Sequence, residues 1–229
     1  MSETLTLLTQ ILPLALGAAV SPTALMGIIL LLSLSKNPKI SGFGYYFGSI
    51  ILILIVIALG AIIGAGITSR SSHPQPLLAL FDLVLGIILV ILGVRRIFKS
   101  QKSPKNLFHD KDTNVSYPLM FVKGLTFGFL MFLINFSTTI IVLEAGKVIW
   151  TSSADTTGKI IVIIFLVLIT LLVCEVPLTM YLLFPEKANK ILSRVNVWMQ
   201  RNGHILMGLV ILVIGVYLVW IGLLRLAII

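Results

Sequence analysis

An acidic side chain lies deep in an apolar stretch of the sequence. Glu175 follows the uncharged run from Ile160 to Cys174 and precedes a second uncharged run. An ionisable group at this depth is costly and usually faces the bundle interior or water. Burial favours the neutral acid, so Glu175 could take up a proton near neutral pH. It could equally be a structural carboxylate bonded to a neighbouring helix. Pro177, two residues on, frees the carbonyl of Val173 and predicts a kink or an unwound turn.

Three further charged residues stand near the ends of apolar segments. Asp82 lies about five residues inside its segment, roughly 8 Å deep at helical rise. It could bind a cation or relay protons, but it could equally pair with Arg70 or lie among lipid headgroups. Glu144 and Lys147 are three residues apart, which predicts an ordinary surface pair.

Polar residues also interrupt two apolar segments. Ser21-Pro22-Thr23 lies within the uncharged run 5–34, and Pro22 deprives the carbonyl of Ala18 of its helical partner. "VSPTALMGIILL" from Val20 aligns with "FSTTIIVLEAGK" from Phe136. The second polar set comprises Asn135, Ser137, Thr138 and Thr139. We expect paired helix interruptions facing a central cavity that Glu175 also lines, although Ser and Thr can instead bond their own helices.

The elements that must position these residues are transmembrane helices. Hydrophobic residues make up 58% of the chain and charged residues 11%, against about 25% charged residues in a soluble domain. Six segments are long enough to span a bilayer, and they cover roughly 5–34, 42–68, 77–98, 118–143, 160–184 and 205–228. The N-terminus has no basic region typical of a cleaved signal peptide, so we expect the first span to be retained. The sequence predicts an all-α, multi-pass protein of the cell membrane.

The six spans divide into two units of three. "VLGIILVILGVRRI" in span three aligns with "VIGVYLVWIGLLRL" in span six. The alignment pairs Ala79 with Gly208, Gly86 with Gly215, Gly93 with Gly222, Asp82 with Ile211, and Arg96 with Arg225. Because three is odd, the second unit must be inverted in the membrane, as in many secondary transporters. We therefore expect a first repeat at 1–98, a cytoplasmic connector at 99–117 and a second repeat at 118–229.

Basic residues are distributed unevenly between the two sides. Loops one, three and five and their flanks hold thirteen Lys and Arg, and the opposite side holds four, namely Arg70, Lys147, Lys159 and Arg225. The positive-inside rule places the three loops in the cytoplasm and both termini outside. The net charge of +9 then needs no nucleic acid. The basic stretch 186–201 has helical spacing of apolar residues, which suits an interfacial helix on anionic lipid.

No motif for enzyme chemistry occurs in the sequence. HExxH, Walker, Rossmann and nucleophile-elbow patterns are absent, and the three histidines, His73, His109 and His204, are far apart. Cys174 is the single cysteine, which excludes an intramolecular disulfide. We expect no enzyme activity, cofactor or bound metal. The glycine pairs at 44 and 48, 60 and 64, and 124 and 128 are expected to pack helices.

Six spans, the 3+3 repeat, Ser-Pro in span one and "CEVPLTMY" in span five together resemble the LysE superfamily. The chain looks most similar to its peptidoglycolipid-addressing (GAP) family, which includes sulfolipid-addressing proteins. The resemblance implies a small membrane exporter, in some members linked to moving glycolipids to the cell surface. The thiol-redox branch needs a cysteine pair, which this chain lacks.

Three functions are weighed from the sequence. The first is a secondary transporter or exporter of lipids or other amphiphiles, with proton coupling. The alternatives are a scaffold for an export machine and a metal-cation transporter using Asp82 and Glu175. We expect membrane lipids and an unidentified transported substrate as partners and no nucleic acid, and leave a homo-oligomer open.

The charge asymmetry makes the topology testable. Cysteines introduced at Ser2 and Ile229, in a Cys174→Ser background, should react with an impermeant thiol reagent added to intact cells. Labelling only after permeabilisation would reverse the orientation.

Overall fold

The structure, a computed structural model, describes residues 2–70, 74–98 and 116–227. They form eight α-helices and no strand within these ranges. The helices are α1 (Ser2–Ala19), α2 (Pro22–Leu34), α3 (Pro38–Arg70), α4 (Pro74–Phe98), α5 (Tyr117–Ile134), α6 (Phe136–Thr151), α7 (Thr156–Leu183) and α8 (Pro185–Ala227). Five of them, α3, α4, α5, α7 and α8, are long and apolar enough to cross a membrane. The bent pair α1–α2 is a sixth if it is taken as one span.

The coarse prediction of an all-helical membrane protein is therefore confirmed. Residues 99–115 of the predicted connector, with His109, lie outside the described residues, as does His73.

The first predicted span is broken where the sequence predicts it. α1 and α2 differ in direction by 52°. Ser21 between them has an extended backbone, and its side chain accepts a hydrogen bond from the Ala24 amide at 3.2 Å. Pro22 is the first residue of α2. An N–H at this position makes no bond within the helix, so proline costs none there. Proline thus starts a helix here, and the N-cap serine stabilises that start.

The fourth predicted span is broken as well. α5 ends at Ile134, α6 begins at Phe136, and Asn135 is the cap residue of both. Gly44 of α3 contacts the backbone of α5 at Phe121, and Gly60 contacts that of α6 at Leu143. The residue numbers of the contacts increase in the same direction along α3 and along α5–α6. α5 and α6 therefore lie end to end, parallel to α3.

α4 and α8 form an antiparallel pair with glycines at the crossing. A methyl group on Gly86 would lie 2.9 Å from the Gly215 carbonyl oxygen. Gly93 approaches Gly208 as closely, and Gly222 approaches Ala79. The seven-residue spacing keeps these small residues on one helix face, so the two backbones pack directly on each other.

Two helices differ from the sequence predictions. α7 is continuous, with Pro177 inside it, so the unwound turn expected there is absent. α8 is also continuous over 43 residues. The basic stretch 186–201 is therefore the first part of α8, continuous with the apolar span that begins at Arg201, and is not a separate helix. At about 1.5 Å per residue, α8 is roughly 65 Å long, and its first half extends beyond a hydrocarbon core of about 30 Å.

The α4–α8 crossing predicts a large effect of one methyl group. Gly86→Ala should lower the free energy of unfolding in detergent by about 1–3 kcal/mol, because the new Cβ meets the backbone of Val219 and Gly215. The matched control is Gly66→Ala in α3, where a Cβ would meet nothing within 4 Å. Thermal unfolding of the purified variants measures both. Equal melting temperatures for the two variants would contradict this packing.

Candidate functional site

The two helix breaks meet inside the bundle. The amide of Asn135 donates to Ser21 Oγ and, at 2.7 Å, to Thr138 Oγ1. Ser21, Asn135 and Thr138 are each at most 1% exposed. One side chain therefore connects the cap of α2 with the first turn of α6.

The carbonyl groups released at the breaks have new partners. Thr138 Oγ1 lies 3.4 Å from the Ala18 carbonyl oxygen, the one that Pro22 cannot serve. Thr139 Oγ1 bonds to the carbonyls of Phe132 and Asn135, at 3.2 Å each. Hydroxyls from one broken span thus satisfy backbone groups of both, as a bundle without internal water requires.

Two polar atoms at the breaks are left unpaired. Thr23 Oγ1 and Asn135 Oδ1 are buried without a hydrogen-bond partner. Asn135 also makes no side-chain capping bond to α6, so amide groups of the first turn of α6 lack an intrahelical acceptor. The breaks therefore retain both donors and acceptors for a further group.

Arg96 adds a positive charge to this region. Its Nη1 donates to Ser137 Oγ at 3.2 Å, so a side chain from the end of α4 reaches the start of α6. In the sequence, Arg96 stands among the basic residues that flank loop three, and a role at the helix breaks was not predicted for it. The signal that could have identified it was its alignment with Arg225.

Among the residues that the structure describes, the space found beside the two breaks is small. The space beside the breaks, lined by Thr138, Thr139 and apolar residues of α3 and α5, measures only about 10 Å³. Glu175 is half-buried and accepts a hydrogen bond from Tyr46 of α3 at 2.8 Å. Pro177 is buried one residue before Leu178, which packs near Gly42. Glu175 thus bonds to α3 and not to either break.

A cluster of four charged residues, three of them buried, lies at the end of the bundle opposite Glu175. Lys147 pairs with Asp82 and, at 2.8 Å, with Glu144, and Arg225 pairs with Asp82. Asp82, Glu144 and Lys147 are each 1% exposed. We refer to these four residues as the charge cluster; it connects α4, α6 and α8.

The charge cluster corrects two expectations. Glu144 and Lys147 form a pair, but a buried one and not a surface one. Asp82 is buried and bonds to Lys147 and Arg225, two partners that the sequence did not indicate. Among the residues that the structure describes, no group of three or more His, Cys, Asp and Glu could hold a metal ion.

α3 orders the polar groups along the bundle. Tyr46 contacts Glu175, Leu52 and Val56 lie beside the breaks, and Gly60 contacts the backbone of Lys147. From Tyr46 to Gly60 the rise is roughly 21 Å. Glu175, the helix breaks and the charge cluster are therefore three successive polar layers.

Fold and site together define a polytopic α-helical membrane protein with two broken spans joined at their breaks and ionisable groups in its interior. The chain belongs to the sulfolipid-1-addressing protein family, whose model matches residues 11–224. No curated protein and no solved structure matches the chain. The resemblance to sulfolipid-addressing proteins is thus confirmed, and membership of the wider LysE superfamily stays a prediction.

The charge cluster predicts an unequal response to two lysine substitutions. Lys147→Met should cost about 3–5 kcal/mol of unfolding free energy, because it leaves Glu144 without a partner and Asp82 with Arg225 alone. Lys159→Met, which removes a surface lysine bonded to the Trp150 carbonyl, should have little effect. Adding Glu144→Gln to Lys147→Met should recover part of the loss. A double variant no more stable than Lys147→Met would contradict the pairing.

Proposed function

We propose that the protein is a secondary transporter that moves an amphiphile with an anionic headgroup across or out of the membrane. The family name refers to a sulfolipid, and a sulfated lipid is one amphiphile of this class. The chain has no nucleotide-binding motif, so an ion gradient is the energy source we assign to it.

The observation that carries the proposal is the meeting of two broken spans at their breaks. Discontinuous helices at the repeat interface are where secondary transporters bind substrate. A membrane scaffold does not require buried helix breaks, whose free backbone groups must be hydrogen-bonded by side chains. The small cavity at the breaks fits a closed state of a transporter, in which the substrate path is shut.

The packing of the helices supports an inverted repeat. The sequence alignment pairs Ala79 with Gly208 and Gly93 with Gly222, whereas the contacts join Ala79 to Gly222 and Gly93 to Gly208. Such an exchange is what a two-fold axis through the Gly86–Gly215 contact produces. α7 also packs on α1 and α2, as α3 packs on α5 and α6.

The electrostatics of the breaks favour an anion. α2 and α6 both begin there, so the positive ends of two helices lie at the same level. Unpaired amide groups at a helix start bind sulfate, phosphate or carboxylate readily. Arg96, already bonded to Ser137, adds a full positive charge. A sulfate or phosphate headgroup suits this arrangement better than a metal cation does.

The proposal can be tested in proteoliposomes with fluorescent lipid analogues and a membrane-impermeant quencher. A sulfated analogue should cross leaflets faster than a zwitterionic one of equal chain length. Asn135→Ala should slow the sulfated analogue about tenfold, because a buried hydrogen-bond hub worth roughly 1–3 kcal/mol is lost.

The matched control is Thr126→Ala on the exposed face of α5, where the hydroxyl bonds only its own helix. It should leave the rate unchanged. Equal rates for protein-free and protein-containing vesicles, with every headgroup tested, would favour the scaffold instead.

A further inference from the structure

Glu144 has a partner for only one of its carboxyl oxygens. Oε1 lies 2.8 Å from Lys147 Nζ, while Oε2 is buried and has no hydrogen-bond partner. The whole residue is 1% exposed. A charged oxygen in such a place is strongly destabilised, and an O–H bond on Oε2 would remove the charge while Oε1 still accepts from Lys147.

The remaining charges explain why Glu144 is the group in the charge cluster that can change its protonation. Asp82 is bonded to both cations, Lys147 and Arg225, which keeps it ionised. Glu144 has only one cationic partner, Lys147, and Lys147 also pairs with Asp82. With Glu144 ionised the charge cluster is neutral, and with Glu144 protonated it carries one net positive charge.

Among the side chains that the structure describes, few other charged groups face Glu144. α3 presents Gly60 to the backbone of Lys147. At the start of α7, Asp155 caps Gly158 and Lys159 bonds to the Trp150 carbonyl. From α1, Glu3 lines the adjoining cavity. The protonation of Glu144 is therefore governed mainly by Lys147, Asp82 and Arg225.

A polar cavity connects the charge cluster with the surface. It measures about 340 Å³ and is lined by Glu3, Thr6, Gln10, Thr151, Ser152 and Arg225, among others. Arg225 is 36% exposed at its side chain and also bonds to Asp82, so it belongs to both cavity and cluster. Water in this cavity can deliver a proton to the cluster and remove it.

We propose that Glu144 is the proton-binding residue of this protein, and that its proton controls the connection between α4 and α6. When Glu144 is protonated, Asp82 is the only ionised partner of Lys147. Their ion pair then holds α4 against α6. When the O–H bond breaks and the proton passes to cavity water, both oxygens of Glu144 compete for Lys147. The bond between Lys147 and Asp82 then weakens, and with it the contact between α4 and α6. Proton binding by Glu144 does not depend on the proposed function. Only the further step, in which this proton drives transport, rests on it.

The test measures proton binding directly and needs no transported substrate. Infrared difference spectra of the purified protein in nanodiscs are recorded between acid and alkaline pH, in H₂O and D₂O. The wild type should lose the C=O stretch of a buried protonated carboxyl as the pH rises. Glu144→Gln, which keeps side-chain size and an acceptor oxygen, should lack that change. Glu175→Gln and Glu3→Gln should retain it.

The outcomes separate the two proposals. A titrating band that survives in Glu144→Gln, or that disappears only in Glu175→Gln, would overturn the assignment, and so would a wild type without such a band. None of these results bears on lipid movement, which the vesicle assay measures separately. If Glu144→Gln does not fold, the wild type is treated with a lipophilic carbodiimide, which reacts with protonated carboxyls in apolar surroundings. The modified peptide should then contain Glu144, with less modification at alkaline pH, and modification at Glu175 alone would contradict the proposal.

Discussion

The need to satisfy backbone polar groups without water determines how this bundle is built. A helix broken inside a membrane leaves amides and carbonyls that lipid cannot bond. Here each break supplies what the other lacks: Thr138 serves the Ala18 carbonyl, and Asn135 bonds Ser21. These bonds join α1–α2 to α5–α6 at the level of the two breaks. The glycine contacts of α3 with α5 and α6 then keep the broken span aligned.

Burial of charge imposes a second constraint at a different level. Lys147 and Asp82 can leave water only together, and Arg225 joins them from α8. These pairs hold α4, α6 and α8 in one arrangement. The α4–α8 glycine crossing is a rigid contact, whereas ion pairs can exchange partners. The charge cluster is thus a more adjustable connection of α4 than the glycine crossing.

The sequence predicts those features that depend on local chemistry. Pro22 after Ser21 specifies a helix start, and the seven-residue glycine spacing specifies a close helix pair, so both are found where the residues place them. Pro177 does not unwind or end α7, because a proline can lie inside a helix that its neighbours stabilise, and the kink predicted there stays a prediction. The charge cluster could not be predicted, since Asp82 is 65 residues from Lys147 and 143 residues from Arg225 in the sequence and only packing brings them together. Glu144 and Lys147 stood among apolar residues on both sides, and that pattern was the available signal.

The two halves of the protein are alike in packing and unlike in charge, so the aligned positions of the two halves differ in chemistry. In the alignments of the spans, Glu144 and Lys147 correspond to Ile28 and Leu31, and Asp82 corresponds to Ile211. All three aliphatic residues are buried. Arg225 has a counterpart in Arg96, which bonds to Ser137 and not to an acid. The charge cluster therefore has no charged counterpart at the aligned positions of the other half. Ion pairs that include a carboxylate respond to protons, whereas apolar contacts do not. In the transporter proposed above, protonation would act on the level of the charge cluster and not on the aligned apolar positions of the other half.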